Sequence, residues 1–130
     1  MTRRRAGFTL IELMTVIVVL GVLATIALPN YWHVRHKAKV TAMQSDLRNL
    51  ATQQEVYHDR MLTYGASVAV LGQVSLSPGV QIDITYADSK GWAAQATYAS
   101  YSDVTCGCFI GDAPPASGSP ATSPGVVTCR

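Results

Sequence analysis

The sequence predicts an α+β fold. One long N-terminal α-helix, membrane-spanning in its first half and amphipathic in its second, packs on a small antiparallel β-sheet of three to four strands. Three observations carry this prediction. Phe8 to Leu28 is a run of 21 residues with a single ionisable side chain, Glu12. From Val40 to Met61 apolar residues recur at three- and four-residue steps. From Val80 the period switches to two.

The apolar run comes first. As a helix it measures roughly 30 Å, about one hydrocarbon core. It is too long for the apolar region of an ordinary secretory signal, and Ala27-Leu28-Pro29-Asn30 offers no small-x-small cleavage site at its end. Glu12 is costly inside a membrane helix and calls for a partner or for the interface. Gly21 and Pro29 are its weak points. Glycine disfavours helix by about 1 kcal/mol against alanine, and proline lacks an N–H and crowds the carbonyl four residues back.

After Pro29 the helix is expected to continue over 30–60 with a stripe of Val40, Met43, Leu47, Leu50, Gln54, Tyr57 and Met61. The stripe is a core face whose partner lies downstream. Residues 61–79 read as a connector anchored by Tyr64, Val68 and Leu71. Val80, Ile82, Ile84 and Tyr86 then alternate with Gln81, Asp83 and Thr85 as a first strand. Asp88-Ser89-Lys90-Gly91 is a turn signal. Trp92 to Tyr98, Thr105 to Ile110 and a short Val126 to Cys129 supply further strands. Gly111 to Gly125 is rich in Pro, Ser, Gly and Ala and reads as a surface loop with no core of its own.

Ten Lys and Arg against eight Asp and Glu give a formal charge of +2. Without Arg3, Arg4 and Arg5 the balance is seven against eight, which gives no reason to expect a nucleic-acid binder. Basic residues flank both ends of the apolar run, Arg3 to Arg5 before it and Arg35, Lys37 and Lys39 after it, so charge alone leaves orientation nearly tied. Cys106, Cys108 and Cys129 point to an oxidising compartment for the C-terminal part, which puts the N-terminus in the cytoplasm. His33 and His36 lack a third ligand at metal-like spacing and read, with Arg35 and Lys37, as a basic collar at the membrane interface. Asp83, Asp88, Asp103 and Asp112 are scattered over strands and turns, and no Ser/His/Asp or Cys/His grouping appears. The sequence therefore predicts no enzyme, no catalytic residues, no metal and no cofactor.

Arg3-Arg4-Arg5-Ala6-Gly7 followed by Phe8-Thr9-Leu10-Ile11-Glu12 resembles the class III signal of type IV pilins and the related type II secretion pseudopilins. The motif covers about 25 residues; the rest resembles the family in layout, the pilin fold. The resemblance implies three parts: a leader, 1–7, cut by prepilin peptidase between Gly7 and Phe8; a transmembrane and polymerisation helix, 8–28; and an exported domain, 29–130. It implies N-methylation of Phe8 and a role for Glu12 in assembly and register, through the Phe8 amine of a neighbouring subunit. It also implies loss of helix between Gly21 and Pro29 in a filament. The implied partners are further copies in a helical filament, prepilin peptidase, the pilus assembly machinery and the inner membrane. The chain would cross that membrane once before assembly and stand in an extracellular fibre afterwards.

The family often bounds its C-terminal region with a disulfide. Cys106–Cys129 and Cys108–Cys129 both fit, and Cys106 is preferred because Cys106-Gly107-Cys108-Phe109-Ile110-Gly111 follows a pattern seen in the family. A pseudopilin, or a minor pilin in adhesion or DNA uptake, is the alternative function. Met61 to Leu71 lacks the Gly-Pro-Thr-rich segment of major pseudopilins. Asp112 is the one acid after Cys108, too few for a calcium loop. Both observations favour the pilin reading.

Overall fold

A computed structural model describes residues 7–72 and 74–130; Arg3, Arg4 and Arg5 of the expected leader lie outside them. The elements are helix α1 (Leu10–Met61), helix α2 (Val68–Leu71) and strands β1 (Val80–Ala87), β2 (Gly91–Tyr98), β3 (Tyr101–Gly111) and β4 (Thr128–Cys129). The chain divides into two compact units, one ending at His36 and one running Lys37–Arg130.

In the second unit the strands form one antiparallel sheet in the order β1-β2-β3-β4. Met43, Leu47 and Leu50 of α1 form one core with Leu71, Val80, Trp92, Ala94, Ala96, Cys106 and Cys108. The stripe is the one expected, at least to Gln54; Met61 at its end is exposed. Trp92 is fully buried, and its indole Nε1 has no hydrogen-bond partner among the described residues. On β2 and β3 the residues that join the core are Trp92, Ala94, Ala96, Cys106 and Cys108. Their even spacing is the pleat of a sheet with one face on a helix.

Two polar side chains of α1 are buried in this unit. Gln54 donates from Nε2 to the Gly65 carbonyl (2.8 Å) and accepts from the Gly65 N–H (2.7 Å), so one amide completes both backbone groups of a connector residue. A Cβ on Gly65 would come within 2.7 Å of the Leu71 side chain, which would have to shift to admit it. Asp46 accepts from the N–H (2.7 Å) and hydroxyl (3.0 Å) of Ser77, fixing the far end of the connector.

Four details correct the sequence reading. The register of β1 against β2 shifts between Ile84 and Tyr86, so Thr85 is the extra residue of a bulge and the pleat changes phase. Tyr86 thus turns outward, its hydroxyl donating to Asp88 (2.7 Å), and Ala87 takes the inward place. Strand β3 begins at Tyr101, because Tyr98 pairs with Tyr101 across a two-residue turn. Strand β4 is shorter than Val126 to Cys129, and Val126 is exposed. The Gly111 to Gly125 loop is also more than surface: Ala113, Ala116 and Ala121 are buried. Ser119 and Pro120 lie so close over Gly107 that β3 has no room for a side chain there. Small side chains give up little rotamer freedom on burial, so a loop of this composition can form a thin layer on the sheet.

The β1–β2 turn is held by Asp88, which accepts from the Lys90 and Gly91 amides at 2.7 and 2.8 Å. The Tyr86 hydroxyl and then these amides hold its carboxyl below the ordinary carboxylate value. Cys106 and Cys129, paired across β3 and β4, are joined in a disulfide. The closed loop of about 23 residues stabilises the fold by about 3 kcal/mol in the chain-entropy treatment. Cys108 is a free, buried thiol whose burial pushes its pKa up.

Candidate functional site

The first unit has the composition of a core and no core of its own. Leu10, Ile11, Leu13, Ile17, Leu20, Leu23, Ile26 and Leu28 are each more than half exposed. Helix α1 contains an 18-residue window with a mean hydropathy of 2.5, none of it buried, so it is long and apolar enough to cross a membrane. The hydroxyls of Thr15 and Thr25 donate to the carbonyls of Glu12 (3.0 Å) and Val22 (2.7 Å) in their own helix. Both polar groups are thereby satisfied without a partner from outside the helix. Gly21 and Pro29 lie inside α1, which continues through both.

The helix starts on a built cap. Thr9, just ahead of Leu10, has its N–H and its hydroxyl bonded to Glu12 Oε2, at 2.9 and 2.8 Å. The Glu12 N–H returns a bond to the Thr9 hydroxyl at 3.3 Å. This is a capping box, which satisfies donors that the first helical turn leaves open. The spacing Thr-x-x-Glu before an apolar run was its signal in the sequence, and Thr9 is the residue that sequence reasoning passed over. Both bonds fall on Oε2; Oε1 takes none among the described residues. The structure therefore brings Thr9 and Glu12 together at the helix entrance.

Gly7 and Phe8 precede the helix, and Phe8 is 87% exposed. A Cβ on Gly7 would meet nothing within 4 Å, and the same holds for Gly21. The fold of the single chain does not require glycine at either place.

A small α+β domain, and a helix with an uncovered apolar surface and an acid in its first turn, are consistent with the pilin fold. Comparison with known proteins narrows this. Residues 2–28 match the family described as Prokaryotic N-terminal methylation motif. The chain is 38% identical over 78 residues to the type II secretion system core protein G of Dickeya chrysanthemi, covering 60% of this chain and 51% of that protein. It is 41% identical over 54 residues to the type IV major pilin protein PilA of Myxococcus xanthus, covering 42% and 24%. A fimbrial protein of Pseudomonas aeruginosa is 42% identical over 53 residues, covering 41% and 34%. The chain thus spans about half the length, or less, of the curated relatives it matches. Motif and relatives support a type IV pilin or pseudopilin family, and the fold is consistent with it.

Proposed function

We propose that the protein is the structural subunit of an extracellular type IV pilus-like filament, without enzymatic activity. The observation that carries this reading is the uncovered apolar surface of Phe8 to Leu28. Apolar surface on this scale needs either lipid or other copies of itself. Before assembly the chain crosses the inner membrane once, N-terminus in the cytoplasm, with the domain 29–130 exported. Prepilin peptidase cuts between Gly7 and Phe8, a junction that is exposed and outside the helix, and Phe8 is N-methylated. Residues 8–28 then bundle in the filament with the help of the inner-membrane assembly machinery. The segment from Gly21 to Pro29 is where helix is weakest and where it loosens as the filament forms.

Apolar burial is non-directional and leaves axial register open. A carboxylate supplies direction, because unpaired it is disfavoured in a dry bundle and paired with the Phe8 ammonium of a neighbour it is not. Glu12 has that role, with Oε1 open while Thr9 holds Oε2. Glu12→Ala is expected to leave membrane insertion, leader cleavage and the disulfide intact and to reduce fibres to a small fraction of wild type. Glu12→Gln should be intermediate at best. Thr9→Ala, which removes part of the cap and keeps the charge, separates capping from register. Fibres sheared from cells, seen by electron microscopy and identified by mass spectrometry, are the readout. Normal amounts of fibre from Glu12→Ala cells would defeat the register role.

A pseudopilin of a type II secretion system is the second reading. The 78-residue likeness to a core protein G is longer than the chain from Met1 to the end of α1, so it extends into the domain beyond the helix. Fibres confined to the cell envelope, absent from the sheared fraction, would favour it.

A further inference from the structure

The segment just after the apolar run carries an exposed face of aromatic and basic side chains. Tyr31 and Trp32 are 49% and 64% exposed. Their rings meet edge-on, with centroids 6.1 Å apart and planes at 75°. The guanidinium carbon of Arg35 lies 4.8 Å from the Tyr31 ring centroid. At about 100° per residue, Tyr31, Trp32 and Arg35 share one side of α1; Tyr31 and Trp32 stand about one turn, roughly 5 Å, beyond Leu28, and Arg35 about two turns, roughly 10 Å. That is the depth of the headgroup layer for a helix whose apolar run fills the hydrocarbon. Between Glu12 and Asp46 the sequence has no acid, while Arg35, Lys37 and Lys39 follow the run in close order.

We propose that this face binds an anionic phospholipid in the leaflet on the domain side of the membrane. Arg35 takes the lipid phosphate, and Tyr31 and Trp32 sit at the level of the headgroups. The chemistry fits each part. Aromatic rings with a polar edge concentrate at the membrane interface. A guanidinium pairs with phosphate through two parallel N–H donors, and one held over a ring has fewer rotamers to lose on binding. The face also gives Arg35 and Lys37, in the helix beyond the apolar run, a purpose other than orientation. They hold the subunit at a fixed depth, with its apolar helix presented to its neighbours, until it is drawn out of the membrane. This inference rests on the reading that Phe8 to Leu28 spans the membrane.

The test uses the full chain reconstituted in mixed phosphatidylcholine and phosphatidylglycerol vesicles. One lipid or the other is brominated high on its acyl chains, and tryptophan quenching is measured. Trp92 is fully buried and provides the constant background, and Trp32→Phe gives the share of Trp32. Phosphatidylglycerol should be enriched about fivefold around Trp32, the equivalent of ~1 kcal/mol for one basic side chain at an anionic surface. Arg35→Gln should bring the two lipids to parity. Extraction by alkaline carbonate, run in parallel, reports whether the chain spans the bilayer. Resistance to carbonate with equal quenching by both lipids would overturn the lipid site alone. So would a preference that survives Arg35→Gln, or one that free inorganic phosphate abolishes where chloride at the same ionic strength does not. Wild-type chain extracted by carbonate would overturn the spanning reading and the lipid site with it.

Discussion

The two halves of α1 are one helix under opposite rules. From Leu10 to Leu28 nearly every side chain is apolar and none is buried; from Met43 to Gln54 the buried positions include an aspartate and a glutamine. The first half keeps its polar atoms inside its own backbone, through Thr15, Thr25 and the Thr9–Glu12 cap. The second half sends polar atoms out to the connector, through Asp46 to Ser77 and Gln54 to Gly65. Hydropathy alone would rank the first half as the core. A side chain is buried when its neighbours complete its bonds and fill its space, and in a single chain only the second half has such neighbours.

Substitutions that separate the halves test this contrast. The largest effect on the domain is expected from Gln54→Leu, which keeps the volume and leaves the Gly65 N–H and C=O buried and unpaired. The cost should be about 2–4 kcal/mol, read as a lower thermal midpoint of the domain with membrane integration unchanged. A midpoint within error of wild type would mean that water replaces the amide. Leu62→Gly should act in the other direction. Leu62 follows α1 with φ at 56° and its side chain 75% exposed, so a leucine is held in the left-handed region for little burial. Relief of that conformation, offset by glycine's extra freedom in the unfolded chain, should stabilise by about 1 kcal/mol or less.

Acid should act locally. Asp88 has its folded pKa lowered, so its contribution to the β1–β2 turn is present above the ordinary carboxylate pKa and is lost as pH falls through the lower folded value. The Lys90 and Gly91 amide shifts in an NMR titration should follow that loss while the core signals hold. Smallest of all, Gly21→Ala should leave the thermal midpoint of the domain where it is, although alanine favours helix by about 1 kcal/mol. A change there would mean that the two halves are coupled in the single chain.

Much of this fold was legible in the residues. The stripe Met43, Leu47, Leu50 and the alternation Val80, Ile82, Ile84 read correctly because helical and strand periods are set by backbone geometry. Tyr86 misled because a bulge at Thr85 shifts the pleat by one residue, and no local preference marked it. Asp46 gave no sign of burial, since its partner Ser77 is 31 positions away. The loop alanines were read from composition, which describes what a segment can pack by itself and not what a sheet beneath it can accept. At the helix entrance the apolar run and Glu12 stood out in the sequence. Thr9 did not, although the cap depends on it.

The bond pair between Gln54 and Gly65 also has a bearing on time. A connector normally opens and closes many times during the life of the folded state, and its amides exchange hydrogen with solvent at each opening. Gly65 belongs to the connector by position, yet its amide is buried and tied to a core side chain of α1. Its clock is therefore that of the helix core, and the Gly65 amide should keep its hydrogen in heavy water long after those of the exposed Ala66 and Ser67 that follow it have exchanged.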